Sequence, residues 1–165
     1  MTTPQPASGT HTTDGRPNGY SSITPFLALA RPGDALDFYQ RVFGAKLINS
    51  SEAGGAVIHA ELEFLSGRLQ LGTASPELHL LAPSADSDEV SFSLALYCPD
   101  VDALVERAVA AGATVREPIA DFASGDRYAS IRDPFGIRWS VMTRVEDLSD
   151  EESDARVKEW LAQLS

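Results

Sequence analysis

The chain has 165 residues, 43% of them apolar and 22% charged, an ordinary composition for one soluble globular domain with a sizeable core. No apolar run is long enough to span a membrane, and the polar N-terminus has neither the basic nor the apolar stretch of a secretory signal. Thirteen basic residues against twenty-four acidic ones leave a formal charge of −11, which repels phosphate backbones and anionic lipid and sets nucleic acid and membrane aside as partners. The single cysteine, Cys98, excludes an internal disulfide and fits a reducing, cytoplasmic setting.

Residues 1–20 hold Thr, Ser, Gly and Pro with almost nothing to bury, and are expected to form a disordered leader outside the fold, with His11 solvated. From Ser22 the pattern changes. Residues 23–29 read as a strand that starts around Pro25. Pro32-Gly33-Asp34 opens a helix running to about Phe43, with Leu36, Tyr39, Gln40 and Phe43 on one face and Gly44 as its stop. Residues 46–51, 56–64 and 68–73 read as three strands, separated by Gly54-Gly55 and Ser66-Gly67.

After an acidic, proline-containing linker over 75–88, the same order returns. Residues 90–98 read as a strand and 100–111 as a helix, capped by Asp100 and stopped by Gly112. Three further strands follow over 113–118, 127–132 and 137–143, with Asp133-Pro134-Phe135-Gly136 as a turn before the last. Leu27-Ala28-Leu29 recurs as Leu94-Ala95-Leu96, Pro32 as Pro99, Asp34-Ala35-Leu36 as Asp102-Ala103-Leu104, and Gly44-Ala45 as Gly112-Ala113. The offset is 67 residues, slipping to 68 after the proline, so the chain is a duplicated β-α-β-β-β unit. In the tail, Ser149 and Glu152 form a capping box. Val157, Trp160, Leu161 and Leu164 then space an amphipathic helix, expected to dock on the body or on a partner.

Several motifs resemble one family when taken as a set: Thr24-Pro25-Phe26-Leu27, Asp37-Phe38-Tyr39, Phe43-Gly44-Ala45, His59-Ala60-Glu61-Leu62, Gly125-Asp126-Arg127-Tyr128, Arg132-Asp133-Pro134-Phe135-Gly136, Arg138-Trp139-Ser140 and Glu146-Asp147-Leu148-Ser149. Across residues 20–152 the chain resembles the vicinal oxygen chelate superfamily of glyoxalases, bleomycin-resistance proteins and dioxygenases, in its PhnB-like branch. It departs at Ile137, where that branch often has histidine. The resemblance implies an α+β fold of tandem duplicated β-α-β-β-β modules forming a curled mixed sheet, with the C-terminal helix added. The expected divisions are a leader over 1–20, module one over 21–74, module two over 89–145 and the C-terminal helix over 146–165.

Strand alternation sorts the side chains into two faces. One is apolar and must be covered by the helices: Leu27 and Leu29; Ile58, Ala60, Leu62 and Phe64; Leu69 and Leu71; Phe92, Leu94 and Leu96; Ala129 and Ile131; Trp139 and Val141. The other is mixed, and its candidate ligand-binding residues are Thr24, Phe26, His59, Glu61, Arg68, Gln70, Ser91, Ser93, Tyr97, Tyr128, Arg138 and Ser140. In the resembled family such a face lines a cavity. An open sheet facing solvent gives the same alternation.

The family's metal-ligand positions fall here on Thr24, Gln70, Ser91 or Ser93, and Ser140, hydroxyls and an amide rather than the imidazoles and carboxylates a divalent cation wants. No cofactor is therefore expected. His59 and Glu61, two apart on one face, remain candidate catalytic residues. They are either metal ligands, with Glu63 or His79 as a third, or an acid–base pair. Cys98 falls on the apolar face with no base beside it.

Three readings of function stand on this sequence. The first is a homodimer binding a small organic molecule in a crevice, with Arg138, Glu61 and His59 as polar contacts and Phe26 and Tyr128 as flat ones. The second is a lyase, isomerase or dioxygenase using His59 and Glu61. The third is a protein-interaction module working through the acidic C-terminal helix.

Overall fold

The computed structural model describes residues 5–84 and 87–164. Residues 1–4 of the expected leader and 85–86 of the expected linker lie outside the described residues. The fold divides into two compact units, residues 1–82 and 83–165. In the first, a short hairpin of β1 (Thr12–Thr13) and β2 (Arg16–Pro17) precedes β3 (Phe26–Leu29), α1 (Pro32–Phe43), β4 (Lys46–Ala53), β5 (Ala56–Glu63) and β6 (Arg68–Thr73). The second holds β7 (Ser93–Tyr97), α2 (Val101–Ala110), β8 (Thr114–Asp121), β9 (Asp126–Arg132), β10 (Arg138–Arg144) and α3 (Asp150–Gln163).

Both units use one topology. The sheets run β3-β6-β5-β4 and β7-β10-β9-β8, with the first strand parallel to the last and the other neighbours antiparallel. Leu27 lies opposite Leu71 and Leu94 opposite Trp139, so the offsets of 67 and 68 read in the sequence are also the register of the sheets. The duplicated α+β architecture and the added C-terminal helix are both present.

Local chemistry explains the helices. Pro32 opens α1, Asp34 sits in its positive first turn, and Gly44, at φ 69°, closes it by donating its N–H to Tyr39 O. The buried stripe is Ala35, Leu36, Phe38, Tyr39 and Val42, shifted from the expected face so that Phe38 goes in while Gln40 and Phe43 are half-buried. α1 covers the first sheet and α2 the second, each on the apolar side. Asp100 caps α2 by accepting the Ala103 N–H, as expected. The expected Asp133 turn is built around one carboxylate, which accepts the Phe135 and Ile137 N–H groups at 2.9 Å each and the Trp139 indole N–H at 2.9 Å.

The apolar faces form the two cores: Leu27, Leu29, Ala60, Leu62, Leu69 and Leu71 in one, Ala129, Ile131, Trp139 and Val141 in the other. Two expected members fail for identifiable reasons. Ile58 is 50% exposed. It is the extra residue of a β-bulge, where Ser51 pairs with His59 and Glu52 with Val57. Phe92 is 48% exposed because the β7–β10 ladder begins only at Ser93, and Leu94 and Leu96 on this edge strand are half-buried.

The leader carries contacts of its own. Residues 12–17 pair as the β1–β2 hairpin, and Tyr20 reaches the first sheet, donating its hydroxyl to Glu61. His11 is exposed. At the other end, α3 begins on the expected capping box. Its Trp160 packs edge-on against Phe122 with ring centres 5.1 Å apart, and Ser153 donates to Ser124 O. Leu161 and Leu164 of the apolar stripe stay exposed.

The bulge at Ile58 depends on Gly72. A Cβ there would lie 2.1 Å from Ile58 O and 3.2 Å from Phe26 Cζ. Gly72→Ala should therefore cost about 1–3 kcal/mol of stability, measured by urea unfolding, because the atom met first is backbone and cannot rotate away.

Candidate functional site

On the side of the first sheet away from α1, the four strands align one row of positions, three of them polar. Phe26 of β3 lies opposite Gln70 of β6, Gln70 opposite Glu61 of β5, and Glu61 opposite Asn49 of β4. Glu61 is only 6% exposed, covered on this side as its neighbours Ala60 and Leu62 are on the other. Gln70 Nε2 donates to Glu61 Oε1 at 3.2 Å. The Tyr20 hydroxyl donates to Oε2, and the Arg68 Nη1 lies 3.5 Å from the same oxygen. Arg68 also reaches Glu63 at 3.6 Å, and its guanidinium stands 4.3 Å above the centre of the Tyr20 ring. His59 stacks on Phe26, centroids 6.2 Å apart.

Burial works to raise the Glu61 pKa, but hydrogen bonds from Tyr20, Gln70 and Asn49, with the charge of His59, outweigh it and hold the carboxyl below its ordinary value. The site is thus a buried carboxylate kept ionised by surrounding donors. Tyr20 and Asn49 were not among the expected site residues. The signal for Tyr20 is that it is the one aromatic in an otherwise polar stretch. Asn49 joins Glu61 through an irregularity between Leu47 and Asn49 that shifts β4 by one residue.

The second unit carries a different set on its corresponding face. Ser93 lies opposite Arg138, and Arg138 opposite Arg132; Ser140 pairs with Ala95 and Ser130. Arg138 donates through Nε to the buried Ser130 and through Nη2 to Glu117 Oε1 at 2.8 Å, while Tyr128 donates to Glu117 Oε2 at 3.1 Å. Tyr97 approaches Asp126, which also takes Arg144 at 2.8 Å. Arg127 bridges Asp102 and Asp121, so Asp126 and Arg127 are both committed to ion pairs. Of the expected ligand contacts, Phe26, His59, Glu61, Arg68 and Gln70 therefore gather on the first sheet, and Ser93, Tyr97, Tyr128, Arg138 and Ser140 on the second. Thr24 and Ser91 fall before β3 and β7 and have no ladder partner.

The donor chemistry does not suit a divalent cation. By register the partner of Gln70 is Phe26, and its counterpart in the second unit is Arg138, opposite Ser93. Neither this set nor Thr24, Gln70, Ser91 or Ser93, and Ser140 supplies an imidazole or carboxylate. Among the described residues no three His, Cys, Asp or Glu side chains are grouped to hold a metal. Glu63 is engaged by Arg68, and His79 is exposed at the end of a one-turn 3-10 helix, Pro76–Leu78. Cys98 is half-buried beside Thr143, and burial pushes its thiol pKa up, away from a nucleophile's requirement. An open depression of about 540 Å³ lies over Thr13–Pro17 and Tyr20–Ser22, and holds none of the expected site residues. Among the described residues no helix is long and apolar enough to cross a membrane.

Comparison with known proteins agrees with the duplicated fold. Residues 24–141 match the model of the Glyoxalase/Bleomycin resistance protein/Dioxygenase superfamily. An uncharacterized protein of Mycobacterium bovis, Mb0911c, is 32% identical over 139 residues, 81% of this chain and 90% of that protein. Among solved structures, TioX from Micromonospora sp. ML1 superposes with a TM-score of 0.59 at 26% identity, over 78% of this chain and all of its own. A PhnB protein from Bacillus cereus, described as a putative 3-demethylubiquinone-9 3-methyltransferase, gives 0.58 at 18% identity, over 74% of this chain and 99% of its own, and shares the fold.

The depressed Glu61 pKa fixes a pH dependence. A carboxyl with a lower pKa folded than unfolded stabilises the fold above the unfolded value, and that contribution fades as pH falls through the folded one. The gap in Tm between wild type and Glu61→Gln should be widest near neutrality and shrink below the ordinary value of 4.5, as followed by circular dichroism across pH.

Proposed function

The chain belongs to the glyoxalase/bleomycin resistance protein/dioxygenase superfamily, and from that premise we propose that it binds a small organic molecule on the polar face of its first sheet, without a metal ion. The observation that carries the reading is Glu61, an ionised carboxylate under cover at mid-sheet, beside a guanidinium and the stacked His59–Phe26 pair. A buried charge with aromatic surface beside it suits a ligand that has both polar and flat apolar parts. Arg138 is the weaker anchor, because an oxyanion there must displace its bonds to Ser130 and Glu117. A metal-free isomerase is a second reading, supported by His59 and Glu61 lying two apart on one face with the histidine's charge acting on the carboxyl.

The same reading makes the protein a cytoplasmic homodimer. Each sheet has two edge strands, β3 and β4 in one and β7 and β8 in the other, and proteins pair or cover such edges. Light scattering should give twice the 17.7 kDa chain mass; the monomer mass at micromolar concentration counts against it.

Binding is tested by thermal shift with a mixed library of metabolites and antibiotics. A binder at a hundredfold its Kd should stabilise the fold by about 2.7 kcal/mol, and Glu61→Gln should abolish that shift. Elemental analysis of untagged protein should find well under one metal per chain. Near one per chain, lost in His59→Ala, would replace the metal-free reading with an enzyme using His59 and Glu61.

A further inference from the structure

The centre of the first unit's polar face already has an occupant drawn from the chain itself. Tyr20 sets its ring under the Arg68 guanidinium at 4.3 Å and donates a hydrogen bond from its hydroxyl to the Glu61 carboxylate. These are the contacts by which a buried anion and an adjacent cation would recognise a free phenol: a hydrogen bond to charge at one end and a cation–π contact over the ring. The backbone is shaped for the approach. Gly19 has φ +87°, a conformation that favours glycine, and a Cβ there would stand 2.7 Å from Arg68 Nη2, so a side chain at position 19 would crowd the guanidinium.

The segment that delivers Tyr20 is lightly built. Its two strands have two residues each and form a sheet of their own, joined to neither four-stranded sheet. Its hydrogen bonds run within the leader, from Asn18 N to His11 O, from Gly15 N to Ala7 O and from Arg16 to Tyr20 O. An isolated two-stranded hairpin is marginal in water, so Tyr20 is its anchor to the sheet. Arg68 Nε is buried with no hydrogen-bond partner, so one donor of this guanidinium is unused while Tyr20 is in place.

We propose that Tyr20 is a tethered stand-in for the ligand: the Glu61–Arg68 site takes hydroxylated aromatic molecules, which bind by displacing Tyr20 and releasing the leader. The inference rests on the small-molecule reading of this face and names its ligand class and its gate. A ligand oxygen that donates to Glu61 while accepting from Arg68 Nε satisfies a group that Tyr20 leaves unpaired. Removal of the tethered competitor strengthens binding by the reciprocal of the fraction of molecules it leaves open.

The test uses full-length wild type, Tyr20→Ala and Tyr20→Phe, with p-cresol, the tyrosine side chain freed from its backbone, as probe and 4-methylanisole as the analogue that cannot donate. Calorimetry should show p-cresol binding Tyr20→Ala about tenfold more tightly than wild type, as when the leader blocks roughly nine molecules in ten. Tyr20→Phe, which keeps the ring and loses the donor, should fall between them, and 4-methylanisole should bind none of the three comparably. In wild type, saturating p-cresol should accelerate amide hydrogen exchange at Gly15 and Asn18 while slowing it at Ala60–Leu62, whereas a ligand resting on a closed leader slows both. Equal affinity for wild type and Tyr20→Ala, equal binding of 4-methylanisole, or slowed or unchanged leader exchange overturns the inference. A library compound that binds wild type through Glu61 but gains nothing in Tyr20→Ala overturns this inference alone. No binding of any compound to either protein overturns the small-molecule reading with it.

Discussion

A charge held out of water in the middle of a sheet dictates what stands around it. Burying a carboxylate is costly unless donors and a counter-charge replace its hydration, and Glu61 draws them from separate stretches of chain. Gln70 and Arg68 come from β6, Asn49 from β4 and Tyr20 from the leader. The strand register follows from the same requirement. A slip of one residue in β5 would turn Glu61 under α1 among the leucines and bring Leu62 to the polar side. The irregularity between Leu47 and Asn49 is local tuning of the same kind, since it brings an amide opposite the carboxylate.

The second unit keeps the register and changes the chemistry. The row Phe26, Gln70, Glu61 of the first sheet corresponds to Ser93, Arg138, Arg132 of the second. The buried anion of one unit is thus matched by a buried cation in the other. Arg132, 6% exposed, donates to Ser84 O and pairs with Asp88, while Arg116 pairs with the same Asp88. That guanidinium anchors the stretch leading into β7, whereas Glu61 is met by the leader. Duplication has preserved the ladder that positions side chains and freed the residues on it for different work.

Much of the fold was legible in the sequence because it rests on signals confined to a few neighbouring residues. Gly44 after a helical stripe, Asp100 before one, the Ser149–Glu152 box and the Asp133 turn each act over a handful of positions and behave as read. The alternation that separates Leu62 and Leu71 from Glu61 and Gln70 held wherever the ladder is regular. It failed at Ile58, because a bulge adds one residue and nothing local in the sequence announces it. The contact between Tyr20 and Glu61 escapes a sequence reading for another reason. Composition averages over twenty residues, and one tyrosine finding one carboxylate forty-one positions away contributes nothing to such an average. The polar face was legible as a face; which of its members meet one another was not, because that depends on pairing between distant strands.

The chain's two tryptophans both lie in the second unit, and they sit in different surroundings. Trp139 is buried with its indole N–H on the Asp133 carboxylate, while Trp160 rests half open against Phe122. No indole lies within residues 1–82, whose aromatic residues are phenylalanine and tyrosine. An optical melting curve excited at the indole band is read from fluorophores in one half of the duplication, and far-ultraviolet dichroism from both. Coincident curves would mean that the two halves unfold as one cooperative body. Separated curves would show that each repeat has kept its own thermodynamic independence.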